Sequence, residues 1–178
     1  MKRTRNSWWR RPLALLTLFV SALLLDQASK ALVRALPLNE PHAVIPGAFW
    51  ITHVQNTGAS FSILTGNNLL LFFIGLVALG LLIAYDDAFK TRLERVAYAL
   101  LLAGITGNLL DRILFGAVTD LFDLGWFPVF NVADSALCIG VGLLILDEVW
   151  LKRKERRTKT REKRREKNEV KRRRAVHF

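Results

Sequence analysis

Val96-Ala97-Tyr98-Ala99-Leu100-Leu101-Leu102-Ala103-Gly104-Ile105-Thr106-Gly107-Asn108-Leu109-Leu110-Asp111-Arg112-Ile113-Leu114-Phe115 reads as one helix, apolar for most of its length and polar near its end. A helix of ~20 such residues crosses the ~30 Å hydrocarbon layer of a bilayer. At 3.6 residues per turn, Asn108, Asp111 and Arg112 share about 100° of arc. Gly104 lies on the same face, whereas Leu109 and Leu110 point elsewhere. Such a face must meet another helix or a wet cavity, and the glycines allow close approach. Structural glue and site lining both fit these residues.

Comparable apolar stretches cover residues 12–33, 67–85 and 132–151. Together the four predict a small polytopic membrane protein within a chain of 178 residues that is 52% hydrophobic. Its net charge of +11 is unevenly placed. Residues 1–11 hold five Lys/Arg and no acid, and residues 152–178 hold fifteen Lys/Arg against four Glu. The core between them has six basic and eleven acidic residues. The chain therefore divides into a basic N-terminus (1–11), a four-helix membrane domain (12–151) and a basic tail (152–178).

Orientation follows from the bases. Both termini, and the connection bearing Lys90, Arg92 and Arg95, belong in the cytoplasm by the positive-inside rule. Segments 34–66 and 116–131 contain a single base, Arg34, and face outside. The first stretch is expected to be a retained helix and not a cleaved leader. Asp26-Gln27-Ala28-Ser29-Lys30 follows its apolar run, apolar character then resumes, and no small-x-small cleavage site stands before a mature domain. Segment 34–66 is punctuated by Pro37, Pro41, Pro46 and Gly47, and Phe49-Trp50-Ile51-Thr52-His53-Val54 favours a strand. It predicts a small outer β element lying on the membrane. Trp126-Phe127-Pro128 in segment 116–131 is expected to form an interfacial wedge.

Asp26 and Lys30 are four residues apart, share a helix face and can pair. Asn131, Asp134, Ser135 and Cys138 follow i, i+3, i+4, i+7 spacing in the fourth stretch, with Gly142 a turn further on. This small, polar face is expected to dock against the third helix, with Cys138 packed there. Asn56-Thr57-Gly58-Ala59-Ser60-Phe61 is a further polar, small-residue patch on the outer side. One cysteine excludes an internal disulfide, and His42, His53 and His177 lack metal-ligand spacing. No cofactor or metal is expected.

Without an activated serine, a Cys–His pair or a metal set, carboxylates are the groups left for catalysis. An ionisable side chain at membrane depth is costly and rarely idle. Two close carboxylates share a proton, so one can deprotonate a water while the other polarises a carbonyl. That is the chemistry of aspartyl peptide hydrolysis. The residues alone leave Asp111, Asp120, Asp123 and Asp134 as candidates.

The chain resembles the lipoprotein signal peptidases, the type II signal peptidases of bacteria, over nearly all of residues 12–151. The resemblance rests on Asp26-Gln27 with Lys30, Asn56-Thr57-Gly58-Ala59 with Phe61, Gly107-Asn108 with Asp111-Arg112, Val118 with Asp120, and Phe130-Asn131 with Ala133-Asp134-Ser135. It implies that Asp120 and Asp134 are the catalytic pair. Asn56, Gly58, Asn108, Arg112 and Asn131 match positions that line or support the site. Ala59, Asp111, Ala133, Asp26 and Lys30 are carried over as supporting residues. It further implies an all-α membrane protein of four transmembrane helices with a small outer β-sheet cradle, formed mainly by residues 34–66.

The implied substrates are diacylglyceryl-modified prolipoproteins, cut before the lipidated cysteine at the outer face of the bacterial cytoplasmic (inner) membrane. Leu121 departs from the family, which usually has Phe there. Membrane lipids are expected partners, with anionic lipid at the basic tail. The tail has charge for phosphate but no interleaved aromatics, so nucleic acid is not the expected partner. The competing reading is a non-enzymatic transporter or assembly factor whose buried charges form a network.

Overall fold

The computed structural model describes residues 10–58 and 67–150. Four long helices carry a three-stranded sheet at one end. In chain order these are α1 (Arg10–Val33), β1 (Pro41–Ile45), β2 (Phe49–Asn56), α2 (Asn68–Ala84), α3 (Arg92–Phe115), β3 (Val118–Asp123) and α4, described over residues 132–150. A short 3₁₀ turn, Asp86–Ala88, joins α2 to α3.

The ends of the helices are written locally. Beyond Val33 the chain tightens through Ala35 N–H to Leu32 O and Leu36 N–H to Val33 O, and Pro37 then stops the helix. Thr91 and Glu94 form a reciprocal capping box at the start of α3. Gly116, at φ 72°, supplies the left-handed residue that ends α3 and turns the chain directly into β3.

The sheet has the order β1-β2-β3 and is antiparallel throughout. Two strands arise from segment 34–66 as expected; the third does not. Residues 118–123 form β3, pairing Val54 with Asp120 and Asn56 with Val118. The β-branched, alternating Val118-Thr119-Asp120-Leu121 is the signal for this strand, and closeness to the end of α3 obscured it. Leu121 is buried, so the residue that departs from the family sits in the core.

Polarity is inverted relative to a water-soluble fold. The largest fully buried side chains are Lys30, Asn131, Asp26, Asp111 and Asp120. Leu13, Leu24, Leu69, Phe73, Val77, Leu81, Ile113, Ile139 and Ile145 are exposed. In water this would reverse the usual sorting, whereas in hydrocarbon it is the low-energy arrangement. Among the described residues, two helices, Leu13–Val33 and Arg92–Phe115, are long and apolar enough to cross a membrane, and α2 is a shorter apolar helix.

Helix packing departs from expectation on α4. Ala133, Ala136 and Gly140 are buried, and Ala133 and Leu137 close on Gly104 of α3. Cys138 is exposed and Gly142 faces open space. The small polar face therefore docks only at its first turn. Further along, the buried stripe runs through 133, 136/137 and 140, because apolar contact with α3 outweighs burial of a weakly polar thiol.

Candidate active site

Asp120 is fixed by the sheet. It faces Val54 across the β2–β3 ladder, and Asn56 Nδ2 donates to its Oδ2 at 2.9 Å from the neighbouring strand. Asn56 is in turn held by Gly58, whose N–H donates to Asn56 Oδ1 at 2.9 Å. Asp134 is fixed by a helix start. Asn131 caps α4: its Oδ1 accepts from Asp134 N–H at 2.8 Å, and its own N–H donates to Asp134 Oδ2 at 3.3 Å. This is a capping box with aspartate in the glutamate position.

Asn131 also joins the two carboxylates, since its Nδ2 donates to Asp120 Oδ1 at 2.7 Å. Asn108 Nδ2 donates to Asp134 Oδ1 at 2.8 Å, while its Oδ1 accepts from Lys30 Nζ at 2.9 Å. The orientation of the Asn108 amide is therefore set from both ends.

Asp120 and Asp134 both open onto a cavity of about 280 Å³, together with Asn56, Gly58, Asn108 and Arg112. Leu71 and Ile74 of α2, Val129 and Leu137 supply apolar walls. Arg112 Nη2 donates weakly to Gly58 O at 3.4 Å, and its Nε has no partner among the described residues. The Asp120 carboxyl is pushed up to about 7, first by burial and then by the Asp134 charge. Hydrogen bonds from Asn56 and Asn131, and the charge on Lys30, oppose that rise without overcoming it.

The other two aspartates lie elsewhere. Asp111 accepts from Thr119 N–H at 2.8 Å and pairs with Arg34 at 2.8 Å and Lys30 at 3.5 Å. All its capacity is committed away from the cavity. Asp123 accepts from Gly125 N–H at 2.8 Å and Thr52 Oγ1 at 3.3 Å at the far end of β3.

Asp26 and Lys30 form the expected ion pair at 2.9 Å, and Asp26 Oδ1 also accepts from Ala133 N–H at 2.8 Å. Ala133 thus contributes its backbone while its methyl packs in the core. Ala59 lies outside the described residues, as do Leu151 and the basic tail, 152–178. Sequence reasoning missed Arg34 as part of this network. It lies at i+8 from Asp26 and i+4 from Lys30, one stripe on one face, and it also donates to Thr119 Oγ1 at 3.0 Å.

Comparison with known proteins gives the family. The family model for signal peptidase II matches residues 18–150. The chain belongs to the signal peptidase II family. The lipoprotein signal peptidase of Syntrophomonas wolfei is 43% identical over 142 residues, covering 78% of this chain and 95% of that protein. That of Staphylococcus carnosus is 38% identical over 150 residues, covering 79% and 94%. A solved bacterial membrane enzyme superposes with a TM-score of 0.72 at 34% identity, over 76% of this chain and 87% of the other. The family is one of peptidases, so this chain is a membrane protease. The inverted polarity of its fold has its explanation there.

Proposed function

We propose that Asp120 and Asp134 are the catalytic pair of a peptidase that removes signal peptides from diacylglyceryl-modified prolipoproteins by cutting before the lipidated cysteine. The observation that carries this reading is that, of the four candidate aspartates, these two share one cavity and are bridged by Asn131, whereas Asp111 and Asp123 are turned elsewhere.

The chemistry follows from the shared proton. Asp120, raised to about 7, holds it at neutral pH and donates to the scissile carbonyl oxygen. Asp134 takes a proton from a water lying between the carboxyls, and the water oxygen attacks the carbonyl carbon. When the C–N bond breaks, the proton taken by Asp134 passes to the departing amine, a hydroxyl of the tetrahedral diol returns its proton to Asp120 as the C=O re-forms, and the pair is back in its single-proton state. Arg112 lines the same cavity and supplies a positive charge that helps polarise the scissile carbonyl.

Four spans, with both termini cytoplasmic and the sheet at the outer face, suit this substrate. A lipid-anchored peptide holds its scissile bond at the membrane surface, since each buried methylene adds ~0.8 kcal/mol of anchoring. Trp126, 80% exposed and edge-on to Phe127 near the sheet, supports an interfacial seat for that end. The basic tail then faces anionic lipid in the cytoplasmic leaflet.

The test is cleavage of a synthetic diacylglyceryl-prolipoprotein by purified protein in detergent. Wild type should cut before the lipidated cysteine, and Asp120→Asn and Asp134→Asn should each lose at least ~10³-fold in kcat while remaining folded. Near-normal turnover by either variant would overturn the pair.

A further inference from the structure

A second cavity, of about 390 Å³, lies between the N-terminal halves of α1 and α3 and the α2–α3 connection. Arg95 on its rim and Arg112 at the peptidase site are seventeen residues apart on α3, about 25 Å along the axis at 1.5 Å per residue. The two cavities therefore belong to opposite ends of the bundle.

The walls of this groove are apolar: Leu16, Phe19, Phe89 and Leu102. Its rim is not, carrying Arg95, Asp86 and the Tyr98 ring, which packs on Phe89 at 4.8 Å. Arg95 is half-buried, and neither it nor Asp86 makes an ion pair among the described residues. The neighbouring Glu94 and Asp147 are occupied. Glu94 closes the capping box, and Asp147 accepts from Thr91 Oγ1 at 3.1 Å. Asp86 is thus the anion and Arg95 the cation presented where the apolar groove opens.

We propose that this groove binds one aminophospholipid, with an acyl chain along the apolar wall, the phosphate on Arg95 and the primary ammonium on Asp86. The volume falls in the ~300–1,000 Å³ range of small-molecule sites with apolar walls and few polar groups. A phosphate and an ammonium a few bonds apart match one cation and one anion on a single rim. A purely anionic headgroup would leave Asp86 facing like charge, and a quaternary ammonium could not donate hydrogen bonds to it. Placing the lipid in the cytoplasmic leaflet rests on the orientation proposed above; the groove and its rim do not.

The full chain, delipidated in detergent, is titrated by native mass spectrometry with phosphatidylethanolamine, phosphatidylglycerol and phosphatidylcholine of matched acyl chains. Retention lost in Leu16→Trp belongs to the groove, which sets aside phosphatidylglycerol held by the basic tail; in that fraction a single phosphatidylethanolamine should be retained at least tenfold more tightly than the other two. Arg95→Gln should weaken retention of that lipid about tenfold, and Asp86→Asn should erase its advantage. Leu16→Trp, which fills the groove, should lower retention of all three. Prolipoprotein cleavage by Arg95→Gln and Leu16→Trp should stay near wild type, separating failure of this site from failure of the peptidase assignment. In the fraction that Leu16→Trp removes, equal retention of the three lipids, preference for phosphatidylglycerol, or indifference to Arg95→Gln would each overturn the proposal.

Discussion

Asn131 donates its side-chain N–H to Asp120 Oδ1 at 2.7 Å, and from its backbone it donates to Asp134 as well, at 3.3 Å. One fully buried amide therefore couples a strand residue to a helix residue and fixes the relative placement of two carboxyls that repel when both are charged. Asn131→Ala removes the side-chain link and the α4 cap together. Removing one preorganised donor typically costs ~10²–10³ in kcat, and a loss of that size is expected here with KM changed only a few-fold. Steady-state kinetics on the lipidated substrate checks it, and a pure KM effect would contradict it.

The same relationship sets a pH dependence. Asp120 titrates near 7, raised by burial and by Asp134. The peptidase needs the single shared proton, so kcat/KM should fall as pH rises through about 7, approaching tenfold per pH unit. The Asn131 and Asn56 hydrogen bonds favour the charged form of Asp120, so deleting either donor pushes that limb to higher pH. The residual activity of Asn131→Ala or Asn56→Ala should show this upward displacement. A wild-type profile flat from pH 6 to 9 would rule out Asp120 as the proton holder.

Asp123 provides the contrast. Its partners are Gly125 N–H and Thr52, at the end of β3 remote from the cavity. Asp123→Asn should keep cleavage within a few-fold of wild type. A loss matching that of Asp120→Asn would mean the cavity has been misassigned.

Much of this arrangement was legible in the chain. Helical periodicity put Asn108, Asp111 and Arg112 on one face, and the structure keeps that face inward, but it splits the work. Asn108 and Arg112 line the cavity, while Asp111 joins Lys30, Arg34 and Thr119. Periodicity assigns a face, and only tertiary packing decides which neighbour each residue on it meets. The strand that carries Asp120 was hidden for a similar reason. Its outer partners come from residues more than sixty positions earlier, and only the folded register brings Asn56 beside Asp120. On α4 the spacing correctly placed Asn131 and Asp134 but overextended to Cys138, where apolar contact with α3 takes over.

Lys30 is 0% exposed and neutralises part of the charge on Asp26 and Asp111 while pinning Asn108. Lys30→Met leaves two buried carboxylates with one cation fewer. Breaking a buried pair from one side costs ~3–5 kcal/mol, so a large drop in thermal stability is expected. Pairing it with Asp26→Asn should recover part of the loss, because the orphaned charge is removed. A double variant less stable than Lys30→Met would show that the hydrogen bond from Ala133 to Asp26 matters more than the charge balance.

Gly107 marks where α1 and α4 both close on α3. A Cβ built there would lie 2.5 Å from Asp26 Oδ2 and 3.3 Å from the Ala133 Cβ. Asp26 cannot swing aside, because Lys30, Gln27 and Ala133 all hold its carboxylate within 3.0 Å. Gly107→Ala should therefore cost ~1–3 kcal/mol as overpacking, despite the better helix propensity of alanine. Gly80 of α2 meets nothing within 4 Å, so Gly80→Ala isolates the propensity effect and should be neutral or stabilising by up to ~1 kcal/mol. Thermal unfolding of the two variants side by side separates packing from propensity. Cleavage by Gly107→Ala should also fall, since displacing Asp26 pulls on the Ala133 backbone next to Asp134. Equal stability of the two variants would mean that α1 is free to move away from α3 at this point.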